Sequence, residues 1–208
     1  NLSKERLMSE LKKIILSKNF LQLSKDSFSL EILTTIFPQL VNLNNLEKMN
    51  DYSKNIFKNK TFIFLISYLI IDETDNANYF LFKYNLSNED KKRVKFLIEN
   101  HELFSEKDYF NKKNLQRIFY FYNKSYVIDL LDLKIFNSKT APKKLIELKK
   151  YFEQFEKPIF PLKAQDLLEK YKLKEGKEFG QKIRLLEDLW LNNSFKLSNK
   201  EIDNVLNN

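Results

Sequence analysis

The sequence predicts an all-α fold, an elongated array of roughly eight to ten helices with no sheet. Three observations carry that expectation. The 208 residues include only two glycines and four prolines, so helix breakers are scarce. Apolar residues recur at steps of three and four, behind Ser, Thr, Asn or Asp residues suited to cap a helix. No alternating strand pair is present, nor any Asn-Gly or Asp-Gly hairpin turn.

From the N-terminus, residues 3–17 read as an amphipathic helix. Ser3 is the N-cap, Leu7, Leu11, Ile14 and Ile15 form the inward face, and Lys12 and Lys13 suit the C-terminal end of the dipole. Residues 29–37 form a second helix stopped by Pro38, which pushes the residue before it out of helical geometry. Asn42, Asn44 and Asn45 mark a turn-rich connection. Residues 61–71, TFIFLISYLII, are apolar all round and too short for a bilayer, which needs about 20 residues; they read as a buried core helix. Asp72 to Asn78 is a polar break. Ser87 then caps an acidic first turn at Glu89 and Asp90, with Val94, Leu97 and Ile98 inward and Lys91, Lys92, Arg93 and Lys95 clustered within the helix.

Residues 105–122 read as one helix, apolar at Phe110, Leu115, Ile118, Phe119 and Tyr122 and basic at Lys112, Lys113 and Arg117. Residues 126–136 form another, in which Asp129 and Asp132 read as the polar edge of a core helix. The run Ser138-Lys139-Thr140-Ala141-Pro142 is the best linker. Beyond it Lys143, Lys144, Lys149 and Lys150 stud a helix whose Leu145, Leu148, Phe152 and Phe155 pack inward. The pattern divides the chain into a segment of residues 1–38, a body of 39–138 and a tail of 139–208.

The tail holds the most specific stretch, residues 160–190, FPLKAQDLLEKYKLKEGKEFGQKIRLLEDLW, with both glycines. A short helix carries Leu167, Leu168 and Tyr171 on its apolar side. The turn Lys174-Glu175-Gly176 uses the ease with which Gly takes positive φ. A longer helix follows, striped by Phe179, Ile183, Leu186 and Trp190 and widened by Leu185 and Leu189. Gly180, in its first turn, costs about 1 kcal/mol of helix propensity relative to Ala, so the expectation is close packing or close approach by a ligand.

Composition bounds the chemistry. Without cysteine there are no disulfides and no thiolate metal sites, and a single histidine, His101, allows neither a zinc cluster nor a His-based triad. His101 reads as a surface or helix-end residue. The net charge of +8 favours polyanionic partners. Polymerase-type transfer needs carboxylates converging on Mg²⁺ beside a small-residue phosphate loop. No Asp-x-Asp and no Gly-Ser loop occurs here, and Glu187-Asp188 reads as a solvated helix face. The chain alone reads as a non-enzyme, with no catalytic residues, no bound metal and no cofactor of its own. No secretory leader pattern opens the sequence, which reads as a fragment of a longer, cytoplasmic protein.

Residues 160–190 resemble the C-terminal region of bacterial tRNA nucleotidyltransferases (CCA-adding enzymes) and the related poly(A) polymerases. Pro161, Ala164-Gln165-Asp166-Leu167-Leu168, Gly176-Lys177-Glu178-Phe179-Gly180 and Trp190 carry the likeness, with Ala164 standing where the family often has Gly and Lys177 where it often has Pro. The start, LSKERLMSELKKIILS, is similar to the neck of the same enzymes, and Leu86-Ser87-Asn88 to a helix start in their body. The resemblance implies that Glu5, Arg6 and Glu10 support a nucleotide site. It also implies that the catalytic head, with its Mg²⁺, precedes this segment on the same polypeptide. Body and tail would hold tRNA, or other structured RNA, by shape and backbone. The implied contacts are Lys91, Lys92, Arg93, Lys95, Lys112, Lys113, Arg117, Lys143, Lys144, Lys149, Lys150, Lys174, Gly176, Lys177, Gly180, Lys182 and Arg184. The residues also permit a helical scaffold for protein partners, which would expose an apolar groove. The choice between CCA and poly(A) addition is not written in this stretch.

Overall fold

Ser3 accepts the Arg6 N–H, Asn50 that of Ser53, Thr61 that of Phe64 and Ser87 that of Asp90. Each cap replaces one amide partner that a helix start leaves open. The structure, a computed structural model, describes residues 3–106 and 108–207. In chain order the helices are α1 (Lys4–Ile15), α2 (Phe20–Leu23), α3 (Ser27–Ile36), α4 (Asp51–Ile56), α5 (Phe62–Ile70), α6 (Asn76–Lys83) and α7 (Asn88–His101). They continue as α8 (Lys112–Phe121), α9 (Lys124–Phe136), α10 (Lys143–Gln154), α11 (Ala164–Tyr171), α12 (Lys177–Asn192) and α13 (Asn199–Asn207). Three 3₁₀ turns, Leu43–Asn45, Phe57–Asn59 and Glu102–Ser105, complete the set, and no strand occurs among the described residues. The fold is all-α. Among the described residues the thirteen α-helices exceed the expected number, in part because α2 and α4 are too short to show a period in sequence. None of the helices is long and apolar enough to cross a membrane, among the described residues.

Two compact units form. The first takes the described residues through Phe110 and then 124–154; the second takes 111–123 and those from Phe155 onward. Positions 38 and 138, the expected breaks, both lie inside the first unit. The run 138–142 does not act as a loose linker: Asn50 Nδ2 donates to the carbonyls of Ile135 and Ser138, at 2.9 Å each, and α10 packs back on α9. Phe155 lies one residue past α10 and belongs to the second unit.

The core of the first unit is built around α5 and α9. Phe62 through Ile70 are buried except Ile63, as the all-apolar pattern requires. Phe136 is the hub, with Phe64 at 5.0 Å and Tyr68 at 5.4 Å between ring centres, both edge-on. On α1 the fully buried residues are Met8, Leu11 and Ile15, with Leu7 and Ile14 half-buried, so the inward face is rotated slightly from the expected one. His101 ends α7, half-buried beside Phe104. The single helix expected over 105–122 is shorter: the 3₁₀ turn and Asp108–Phe110 precede Asn111, whose side chain caps α8, and Lys107 lies outside the described residues.

In the second unit Leu167, Phe179, Leu186, Ile202 and Leu206 form the core, with Phe160, Leu162 and Ile183 packed against it. Trp190 is buried, edge-on to Tyr120 and Phe160. Leu185, expected to widen that stripe, is 56% exposed; three residues of every seven already cover the inward side of α12, and Leu185 falls beyond it.

Candidate nucleic-acid interface

The path from α11 to α12 sets the geometry of the second unit. Lys172, not Gly176, takes the left-handed conformation that ends α11, at φ 52°, and the Leu173 N–H returns to Leu168 O at 3.1 Å. Gly176 is extended (φ 162°, ψ −178°), a conformation open to any residue, so the positive-φ role expected of it is not used. Its carbonyl accepts the Gly180 N–H at 3.0 Å and starts α12. No side chain caps this helix start.

A Cβ built on Gly180 meets nothing within 4 Å. Packing inside the chain is therefore not what the glycine serves. Lys177, Gly180, Gln181 and Arg184 lie on one exposed side of α12, at helical spacing, opposite buried Phe179, Leu186 and Trp190. Lys174 is exposed on the approach, alternating with exposed Glu175. Lys182 is directed elsewhere: its ammonium donates to Leu206 O at 3.1 Å and lies 3.6 Å from Glu178, tying α12 to the end of α13. Arg117 is likewise engaged, donating to Asp188 and Asn192 of α12 at 3.1 Å each, while Lys112 and Lys113 of the same helix are exposed.

In the first unit Lys92 and Lys95 of α7 are exposed and Lys91 is half-buried, and on α10 Lys143, Lys144 and Lys150 are exposed. Arg93 and Lys149, grouped with these by sequence, point inward. Arg93 clasps Asp129 through two nitrogens, with Nη2 at 2.8 Å from Oδ1. Lys149 is only 4% exposed. Its Nζ lies 2.8 Å from Asp132 Oδ1, an ion pair whose angle falls outside hydrogen-bond geometry, and 5.7 Å from the Tyr52 ring centre. Lys60 pairs with the other oxygen of Asp132. Asp129 and Asp132 are thus buried anions rather than a polar edge. Burial pushes the Asp129 carboxyl up against the pull of Arg93. Burial also draws the Lys60 ammonium down, whereas Asp132 holds that of Lys149 up despite burial. The signal for this network was in the sequence: two acids in a helix apolar on every side have to find cationic partners inside.

Glu5, Arg6 and Glu10 are exposed on α1. Glu5 accepts from Asn85 at 3.4 Å, and its own backbone amide and Ser3 hold its carboxyl below the ordinary range. Glu10 pairs with Lys13 at 2.9 Å, which lowers it likewise. Arg6 makes no ion pair with either. A cavity of about 720 Å³ in the first unit is lined by Asp72, Glu73, Asp75 and Glu102 against Lys134 alone, and has the wrong sign for a phosphate.

No protein-family model matches the chain, and no curated protein matches it.

Proposed function

We propose that this chain binds structured RNA through its sugar-phosphate backbone. In this reading it is the tRNA-positioning part of a CCA-adding enzyme or poly(A) polymerase, with transfer chemistry and Mg²⁺ supplied by a head on the same polypeptide. The observation that carries the reading is the open side of α12. Gly180 costs helix stability and has no packing reason to be there, yet it sits between exposed Lys177 and Arg184. A side without a Cβ at its centre lets a backbone approach the helix closely, and the two cations reach the phosphates on either side. The test compares folded tRNA with random single-stranded RNA at matched salt. With about four to six phosphates engaged, log affinity falls against log salt with a slope of roughly −3 to −5. Equal affinity for both RNAs sinks the reading.

A helical scaffold for protein partners is the second reading. It rests on α3, where Phe28, Ile32 and Ile36 recur every fourth residue, all exposed. Partner binding through this stripe would be insensitive to salt, and Ile32→Lys would abolish it without affecting RNA affinity.

A further inference from the structure

Two cavities of the first unit meet on Lys60 and Arg93. One, about 380 Å³, runs past Asp129 and Asp132; the other, about 660 Å³, runs past Met8 and Lys12 of α1 and Asp90 of α7. Lys60, Thr61 and Arg93 line both. Behind them, three cations (Lys60, Arg93 and Lys149) share two carboxylates whose side chains are 6% and 0% exposed. Glu153, 3.9 Å from Lys149, and Asp90, whose charge acts on Arg93, supply further anions at the solvent edge of the network. At the rim, Lys12 and Glu5 line the larger cavity and Lys124, whose ammonium donates to Glu153 O at 2.7 Å, lines the smaller. Lys60 and Arg93 are the members of the network that open onto both cavities. Their N–H groups not used by the carboxylates are poorly solvated, and an anion at this mouth accepts from them.

The same carboxylates prepare the site for that anion. Asp129 takes two of the five guanidinium donors of Arg93, and Asp132 takes one of the three of Lys60. Both side chains are thereby held in place before a ligand arrives, with donors to spare, which reduces the ordering that binding requires. We propose that Lys60 and Arg93 form a site for a single phosphate group, flanked by Lys12 and Lys124. The group belongs either to an RNA strand or to a free nucleotide. The site lies in the first unit and does not depend on the role given to α12.

Isothermal titration of the whole chain with inorganic phosphate, AMP, adenosine and a five-nucleotide RNA tests this. At least one phosphate-bearing probe binds saturably, and adenosine does not. Lys60→Gln leaves Asp132 paired with Lys149 and weakens that binding about tenfold, the loss of one charged hydrogen bond. Should Lys60→Gln fail to fold, the exposed pair Lys12→Ser/Lys124→Ser replaces it, with about threefold weakening expected from screened rim charges. Saturable binding of AMP identifies a nucleotide source; binding of the oligomer alone identifies the RNA backbone. Lys60→Gln weakens phosphate and AMP binding by the same factor in a Lys177→Ala/Arg184→Ala background, which separates this site from the α12 surface. Failure of all phosphate-bearing probes to saturate overturns the proposal. So does saturation that Lys60→Gln and the rim pair both leave intact, because the anion then sits elsewhere on the basic surface.

Discussion

Lys149 of α10 reaches 2.8 Å from Asp132 of α9, and neither side chain has meaningful access to water. A lysine that reads in sequence as one of four on a solvated surface is the tie holding α10 on the first unit. Asp132→Ala strands Lys149 and Lys60 together, and breaking a buried pair from one side costs about 3–5 kcal/mol. The double variant Asp132→Leu/Lys149→Met recovers only part of that loss, because Lys60 keeps its poorly exposed ammonium without a carboxylate partner. Urea unfolding of the single and double variants measures both. Equal stability of Asp132→Ala and the parent would show that the pair contributes nothing.

Gly180→Ala raises stability by roughly 0.5–1 kcal/mol, because the added methyl meets open space and the helix gains propensity. Thermal melting followed at 222 nm reads the gain as a higher midpoint. The same variant weakens tRNA binding if a phosphate backbone lies against that side. Stability and affinity thus move in opposite directions, a result that internal packing at Gly180 could not produce.

Much of the fold was legible because the local rules agreed with one another. Ser3, Thr61 and Ser87 each stand at the helix start their chemistry favours, and the apolar run at α5 could only be buried. What was not legible depends on partners distant in sequence. Arg93 finds Asp129 36 residues away and Lys60 finds Asp132 72 residues away, and no local pattern separates these cations from exposed Lys92 or Lys150. Gly176 misled for a different reason. Lys172 already supplies the left-handed residue that stops α11, so the connection to α12 runs extended. Leu185 misled because a stripe of leucines hides which member falls off the edge.

Acid should loosen α13 before the rest of the second unit. Ser198 Oγ accepts the Glu201 N–H at 3.3 Å, and Glu201 Oε2 accepts the Ser198 N–H at 2.8 Å, a reciprocal cap. Hydrogen bonds from the Ser198 hydroxyl and its amide hold the Glu201 carboxyl below its ordinary value of 4.5. A carboxyl depressed in the folded state contributes stability that is complete above that ordinary value and is lost as pH falls through the lowered one. Amide protection factors at Ile202 and Leu206 should therefore fall below about pH 4.5. In Glu201→Gln, which keeps an acceptor but cannot titrate, this component of the pH dependence vanishes. Persistence of the same profile in Glu201→Gln would assign it to another group.

The α12 surface makes the strictest demand, because only some of its cations are available. Lys177 and Arg184 are exposed beside Gly180, whereas Lys182 is bound to Leu206 O. Lys177→Ala/Arg184→Ala should weaken binding uniformly across tRNA species and flatten the salt slope by about one to two. Lys182→Ala should leave the slope as it is and instead lower the melting midpoint, since it unties α12 from the end of α13. Filter binding at four salt concentrations, with circular dichroism on the same samples, gives both readings. If Lys182→Ala flattened the slope while Lys177→Ala/Arg184→Ala did not, the RNA would lie on a different side of α12.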